Sequence, residues 1–167
     1  FTENELEKAT ALWNSVVAQG NAFPQEQPLT VEKARAFFFS QSFTGIMQIE
    51  DEVVGLYILH PNNLERCGHI ANASYAVSTT CRGKGFGKAL VIHSMKTAKE
   101  LSFTILQYNA VVATNTGAIK LYESLGFTQL GVIKRGFRIS ENHYEDIIPF
   151  YFDEIFSMYS EEEFGED

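Results

Sequence analysis

The stretch CRGKGFGKAL, Cys81 to Leu90, interleaves three glycines with Arg82, Lys84 and Lys88 directly ahead of a run with helical periodicity. Few backbone arrangements suit such a sequence. Glycine tolerates positive φ and lets the main chain approach a ligand closely. A helix N-terminus carries unpaired N–H groups and partial positive charge. A glycine-rich turn feeding a helix is therefore a cradle for an anion, phosphate above all. The same residues would also serve as a plain surface turn with solvated charges. Spacing excludes two nucleotide motifs. Counting back from Gly87-Lys88, the first glycine of a Walker A loop falls on Arg82, and Ala89 stands where its hydroxyl residue belongs. The pattern Gly-x-Gly-x-x-Gly also fails, because its last glycine falls on Lys88 or Leu90.

The elements around the loop fix the fold class. Leu6, Ala9, Leu12, Trp13, Val16 and Val17 recur at helical spacing, with Thr2 or Asn4 to open the helix and Gly20 to close it. After the turn-rich AFPQEQPL, Thr30 caps a second helix through about Phe39. TGIMQIEDEVVGLYILHP reads as a hairpin turning at Glu50-Asp51-Glu52. GHIANASYAVS is a strand ending just before the glycine loop. A helix follows with Phe86, Leu90, Val91, Met95 and Ala98 on its apolar face, and His93 is expected to pack against the core. TILQYNAVVA is a strand, NTGAIKLYESLGF a short helix closed by Gly126, and TQLGVIKRGF and HYEDIIPFYF are closing strands. This order describes an α/β (α+β) layer fold.

A chain of 167 residues with 45% hydrophobic content is expected to form one domain over 1–167, with SEEEFGED as an acidic tail from about residue 160. The net charge of −8 argues against a nucleic-acid surface, although five of the acids sit in that tail and leave about −3 for the rest. No apolar run is long enough to span a membrane. Cys67 and Cys81 form neither a disulfide framework nor a metal-ligand cluster, so reduced thiols, a cytoplasmic location and no metal are expected.

With these elements in order, the chain resembles the GNAT superfamily of acetyl-CoA-dependent N-acetyltransferases. That family's signature Arg/Gln-x-x-Gly-x-Gly/Ala stands here as Arg82-Gly83-Lys84-Gly85-Phe86-Gly87, and a second signature runs from Thr114 to Phe127, TNTGAIKLYESLGF. The resemblance implies a central mixed, mostly antiparallel sheet with splayed middle strands and about four flanking helices. It implies that acetyl-CoA is the cosubstrate. Arg82, Gly83, Lys84, Gly85, Phe86, Gly87 and Lys88 would surround its pyrophosphate, with Arg82 fixing the loop, and Lys84 and Lys88 would either reach other phosphates or remain solvated. The pantetheine arm would lie between the strands carrying Val77 and Asn109, with Asn115 capping the next helix, contacting the cofactor, or both.

The implied reaction is direct acetyl transfer to an amine of a small molecule or peptide, with an N–H donor near Val77 stabilising the oxyanion. A primary amine of pKa ~10.4 is less than ~0.1% neutral at pH 7, so a base or a proton-accepting water is needed. Tyr122 is the acid expected to protonate the departing thiolate. Its other reading is a core tyrosine on the stripe of Ala118 and Leu125. The strand before the loop offers no glutamate, which leaves His69, His143, Glu145, Asp146 or water as the base. Cys81 is expected to be a bystander. Phe37, Phe38, Phe39 and Phe43 are available for an acceptor wall, though most are expected in the core. Relatives that dimerise leave a homodimer open. The competing class is a non-catalytic acyl-CoA-binding sensor or regulatory module.

Overall fold

The computed structural model describes residues 1–158, and the acidic tail expected from about residue 160 lies outside them. A seven-stranded sheet is built from β1 (Phe43–Ile49), β2 (Glu52–Pro61), β3 (Ile70–Val77), β4 (Ile105–Val112), β5 (Thr128–Gln129), β6 (Ile133–Ser140) and β7 (His143–Phe152). Its order is β1-β2-β3-β4-β7-β5, with β6 also pairing β7. Every pairing is antiparallel except β3 with β4. Helices α1 (Leu6–Gln19), α2 (Val31–Phe39), α3 (Phe86–Glu100) and α4 (Thr116–Ser124) complete the α/β architecture.

The caps sit where the side-chain chemistry puts them. Thr2 and Glu5 form a capping box ahead of α1, Gly20 ends it in the left-handed region at φ +66°, and the Thr30 hydroxyl accepts from Lys33 N to open α2. The closing segment TQLGVIKRGF departs from a single strand. It splits into β5 and β6 because the register against β7 is interrupted between Gln129 and Ile133, where Gly131 turns at φ +129°. No helix among the described residues is long and apolar enough to cross a membrane.

The alternation of side chains along β2 divides the core in two. Leu56 and Ile58 face α1 and α2 and pack with Trp13, Val16 and Phe38. Tyr57 and Leu59 face the opposite layer, where Leu90, Met95, Leu106 and Phe150 close the core. The phenylalanine run is thereby accounted for: Phe38 is buried and Phe37 half-buried beside Trp13, while Phe39 is half exposed.

Tyr57 also fixes the hairpin. It pairs across the ladder with Gly45, and a Cβ at Gly45 would come within 2.1 Å of the Tyr57 ring. The ring cannot easily yield, because its hydroxyl donates to Thr97 Oγ1 (3.0 Å) and meets His93 Nδ1 (2.8 Å), and burial pushes the phenol up to about 12. His93 is exposed, yet its ring packs against Phe43 and Tyr57 at the edge of the core and its Nδ1 meets that hydroxyl. Gly45→Ala is expected to lower stability by about 1–3 kcal/mol through overpacking. That is a fall of roughly 2–4 °C in the thermal midpoint per kcal/mol for a chain of this size. Gly117→Ala, where nothing lies within 4 Å, is the control. It should be neutral or stabilising by up to ~1 kcal/mol, and equal losses in thermal unfolding for both variants would refute the contact argument.

Candidate active site

The loop after β3 is held at its base and free at its tip. Ser78 N donates to Val54 O (2.8 Å), and Cys81 N donates to Ser78 O (2.9 Å) in a short 3-10 turn. Beyond that, Gly83 and Gly85 adopt φ +76° and +81°, a conformation that side-chain-bearing residues rarely accept. The space around both is open, so backbone conformation and not crowding requires glycine there. The N–H groups of Gly83, Lys84 and Gly85 have no backbone partner among the described residues, and α3 starts at Phe86 with no side-chain cap. These donors and the helix N-terminus converge on one patch that suits a phosphate.

Arg82 reaches away from the loop and donates to Gln19 Oε1 at 2.5 Å, drawing the end of α1 over it. Lys84 and Lys88 are exposed and make no hydrogen bond or ion pair within the described residues. Phe86 is half-buried behind the loop.

The adjoining cleft arises from strand geometry. β3 and β4 are paired only from Ile70–Asn72 to Ile105–Gln107, after which they separate. β4 is further disturbed by an irregularity between Tyr108 and Val111 in its pairing with β7. The facing edges of β3 beyond Asn72 and of β4 beyond Gln107 therefore have no ladder partner.

Two cavities meet in this gap. One of about 350 Å³ lies at the loop end, against Val77, Arg82, Gly87, Thr114 and Asn115. The other, about 190 Å³, lies against Phe23, Pro24, Asn72, Ser74, Asn109 and Val111. Ala22, Tyr75, Asn115, Ala118 and Tyr122 border both. Asn115 serves two purposes, since its side chain accepts from Ala118 N (3.3 Å) as the α4 cap and also forms cleft wall. Asn109 stands at the end away from the loop, its amide bonded to Asn62 Oδ1 (2.6 Å) and Gln107 Nε2 (3.1 Å).

Three tyrosines line the cleft, and their hydroxyls differ. Tyr75 and Tyr108 hydroxyls meet at 2.7 Å, and Tyr75 also meets Ser94 Oγ at 2.6 Å. Tyr122 has no hydrogen bond among the described residues, although its ring packs against Tyr108 at 4.5 Å and against Phe150. Loss of solvation raises all three phenols above their ordinary value, so each is protonated through the neutral range. Tyr122 is the phenol whose proton is uncommitted.

The histidines and acids named as bases from sequence are elsewhere. His69 is exposed ahead of β3, His143 Nε2 pairs with Glu145 Oε1 at 2.8 Å on β7, and Asp146 Oδ1 accepts from Arg135 N at 2.8 Å. None of them borders either cavity, and neither does Cys81 or any of Phe37, Phe38, Phe39 and Phe43. Sequence reasoning missed Phe23, Pro24, Tyr75 and Tyr108. For the tyrosines the signal was available, since each shares an alternation phase with core positions on its strand, Ala73 on β3 and Leu106 on β4. For Phe23 it was not, because its stacking on Trp13 at 4.3 Å is a contact across a turn that sequence periodicity does not encode. Among the described residues no group of three or more His, Cys, Asp or Glu is placed to hold a metal.

The family model described as "Acetyltransferase (GNAT) family" matches residues 9–127. The N-acetyltransferase aca1 of Schizosaccharomyces pombe is 29% identical over 154 residues, covering 82% of this chain and 74% of that protein. An N-alpha-acetyltransferase of Sulfurisphaera tokodaii is 33% identical over 110 residues, covering 59% of this chain and 64% of the relative. Among solved structures, a GCN5-related N-acetyltransferase from Kribbella flavida superposes with a TM-score of 0.83 at 28% identity, covering 92% of this chain and 94% of that one. A phosphinothricin acetyltransferase from Sinorhizobium meliloti, solved in complex with AcCoA, shares the fold with a TM-score of 0.85 at 19% identity over 98% of this chain and 91% of its own. The glycine loop, the parted strands and the second motif on α4 all lie within or beside the matched span, and the chain belongs to the GNAT family of acetyltransferases.

Proposed function

We propose that the chain transfers an acetyl group directly from acetyl-CoA to the amine of a compact small molecule or peptide terminus, with Tyr122 as the proton donor to the leaving thiolate. The observation that carries this reading is the unbonded Tyr122 hydroxyl at the junction of the two cavities. A module that only sensed acyl-CoA would have no use for a free proton donor there.

The residues present fit acetyl-CoA as substrate. The unpaired N–H groups of Gly83 to Gly85 and the start of α3 suit the pyrophosphate. The unpaired edges of β3 and β4 suit the amides of the pantetheine arm, which can bond to them as an added strand would. The smaller cavity, with the amide and hydroxyl side chains of Asn72, Ser74 and Asn109 beside Phe23 and Pro24, suits the acceptor. In the reaction the amine nitrogen bonds to the thioester carbon, a β3 N–H near Val77 stabilises the oxyanion, and the C–S bond breaks as Tyr122 gives its proton to sulfur. The surplus amine proton leaves to water, and the phenol regains a proton from solvent.

Two measurements test this. Tyr122→Phe should lower kcat by about 10²-fold or more, in line with the loss of a general acid, and leave acetyl-CoA affinity by calorimetry within about threefold. Undiminished kcat would remove Tyr122 from the chemistry.

The second is the pH profile. No carboxylate or imidazole among the described residues borders either cavity, so the acceptor's own ionisation should control attack. Below the acceptor's pKa, kcat/KM should rise about tenfold per pH unit. The inflection should move from ~8 for an α-amine to ~10.4 for an ε-amine. Because burial raises the Tyr122 pKa, the acid stays protonated and should add no descending limb below pH ~10. An inflection fixed at one pH for both acceptors would reveal an enzymic base instead.

A further inference from the structure

Where β3 and β4 part, their backbones no longer hold each other, yet the gap is bridged. Tyr75 on β3 and Tyr108 on β4 meet hydroxyl to hydroxyl at 2.7 Å, three residues beyond the last ladder pair on β3. The bridge is anchored on α3, since Tyr75 Oη lies 2.6 Å from Ser94 Oγ and Ser94 donates to Val91 O at 2.7 Å. Ser94 is fully buried and Tyr108 nearly so, at 0% and 4% exposure. The rings add to the brace: Tyr75 meets Tyr108 edge-on at 5.7 Å, and Tyr108 stacks on Phe127, just beyond α4, at 4.9 Å.

The proton order in this chain follows from its end. A carbonyl oxygen only accepts, so the Ser94 proton is committed to Val91 O. Ser94 can then only accept from Tyr75, and Tyr75 in turn accepts from Tyr108. Each phenol spends its single proton inside the chain. Two of the three tyrosines lining the cleft are thereby unable to donate into it.

We propose that Ser94, Tyr75 and Tyr108 form a positioning strut that sets the width of the β3–β4 gap and holds the β3 N–H donors and Tyr122 at their working separation. The strut replaces, with side chains, the ladder that the cleft requires the backbone to give up. It works through Tyr122 and the strand edges and takes no part in proton transfer. The consequence for turnover rests on the acetyl-transfer reading, while the mechanical claim does not.

Tyr75→Phe and Tyr108→Phe keep the rings and remove the bridging bond, and Ser94→Ala removes the anchor with little change in volume. In each variant kcat should fall about tenfold while KM for acetyl-CoA changes less than about threefold. Tyr75→Phe combined with Ser94→Ala should lose little more than either alone, because both break one chain. Amide hydrogen exchange at residues 73–77 and 108–112 should quicken in Tyr75→Phe relative to the distant α2, and this reads the strut whether or not an acceptor is in hand. A loss of thermal stability with kcat intact in all three variants would overturn the positioning role. Unchanged exchange along both strand edges would overturn the strut itself. Full kcat in Tyr122→Phe alongside reduced kcat in Tyr75→Phe would remove the acid and keep the strut, so the two failures are separable. Should a phenylalanine variant not fold, Ser94→Ala carries the test alone.

Discussion

The hydrogen bonds that β3 and β4 do not make govern most of what this chain can do. Parallel neighbours in the middle of a sheet normally pair along their shared length, and buried backbone groups left without a partner cost about 1–3 kcal/mol each. Here the pairing stops at Asn72 and Gln107. The gap persists because each strand is secured on its other side: β3 by β2 from Ala71 to Val77, and β4 by β7 on both sides of its irregularity. The sheet is thus two antiparallel units joined over three residue pairs and open beyond them. Strand edges left open in this way are of the kind that an amide-bearing ligand can pair with as an added strand would.

The other parts of the site are placed by this opening. β3 leads straight into the glycine loop, so the unpaired loop N–H groups and the strand edge lie along one continuous segment. β4 leads through Asn115 into α4, which brings Tyr122 over the same gap from the opposite wall. The end of α1 covers the loop through Gln19 and Arg82, and the connection after it supplies Phe23 and Pro24 to the second cavity. That connection is itself fixed by packing, with Phe23 stacked on Trp13, and by the ion pair of Glu26 with Arg138 on β6.

What was legible in the sequence was what local chemistry dictates. Gly83 and Gly85 announce positive φ, Thr30 and Asn115 announce caps, and the apolar runs on either side of Glu50-Asp51-Glu52 announce a hairpin. The loop and the α4 motif were readable because each is contiguous. The remainder depends on contacts between distant segments. Phe37 and Phe38 were available for a cleft wall as well as for the core, and the packing of α2 against Trp13 places them in the core, while the unremarked Phe23 borders the cleft. His143, Glu145 and Asp146 had the chemistry of a base, but on β7 they border neither cavity and instead pair with one another or with Arg135. The break between β5 and β6 is a register effect against β7 that Gly131 permits but does not announce.

Charge and protonation follow the same division between rim and cleft. The chain's net charge is −8, yet among the described residues the cavity walls in the gap hold no carboxylate: they are amides, hydroxyls and apolar groups, with Arg82 at the loop end. With no carboxylate to pair with an ammonium, that lining favours the uncharged form of an amine. It also raises every phenol in the cleft, which keeps three weak acids protonated close together without mutual repulsion. Three such groups would be interchangeable donors if each were free. The Ser94 anchor prevents this by consuming the protons of Tyr75 and Tyr108, so of the three hydroxyls only that of Tyr122 is without a hydrogen bond among the described residues.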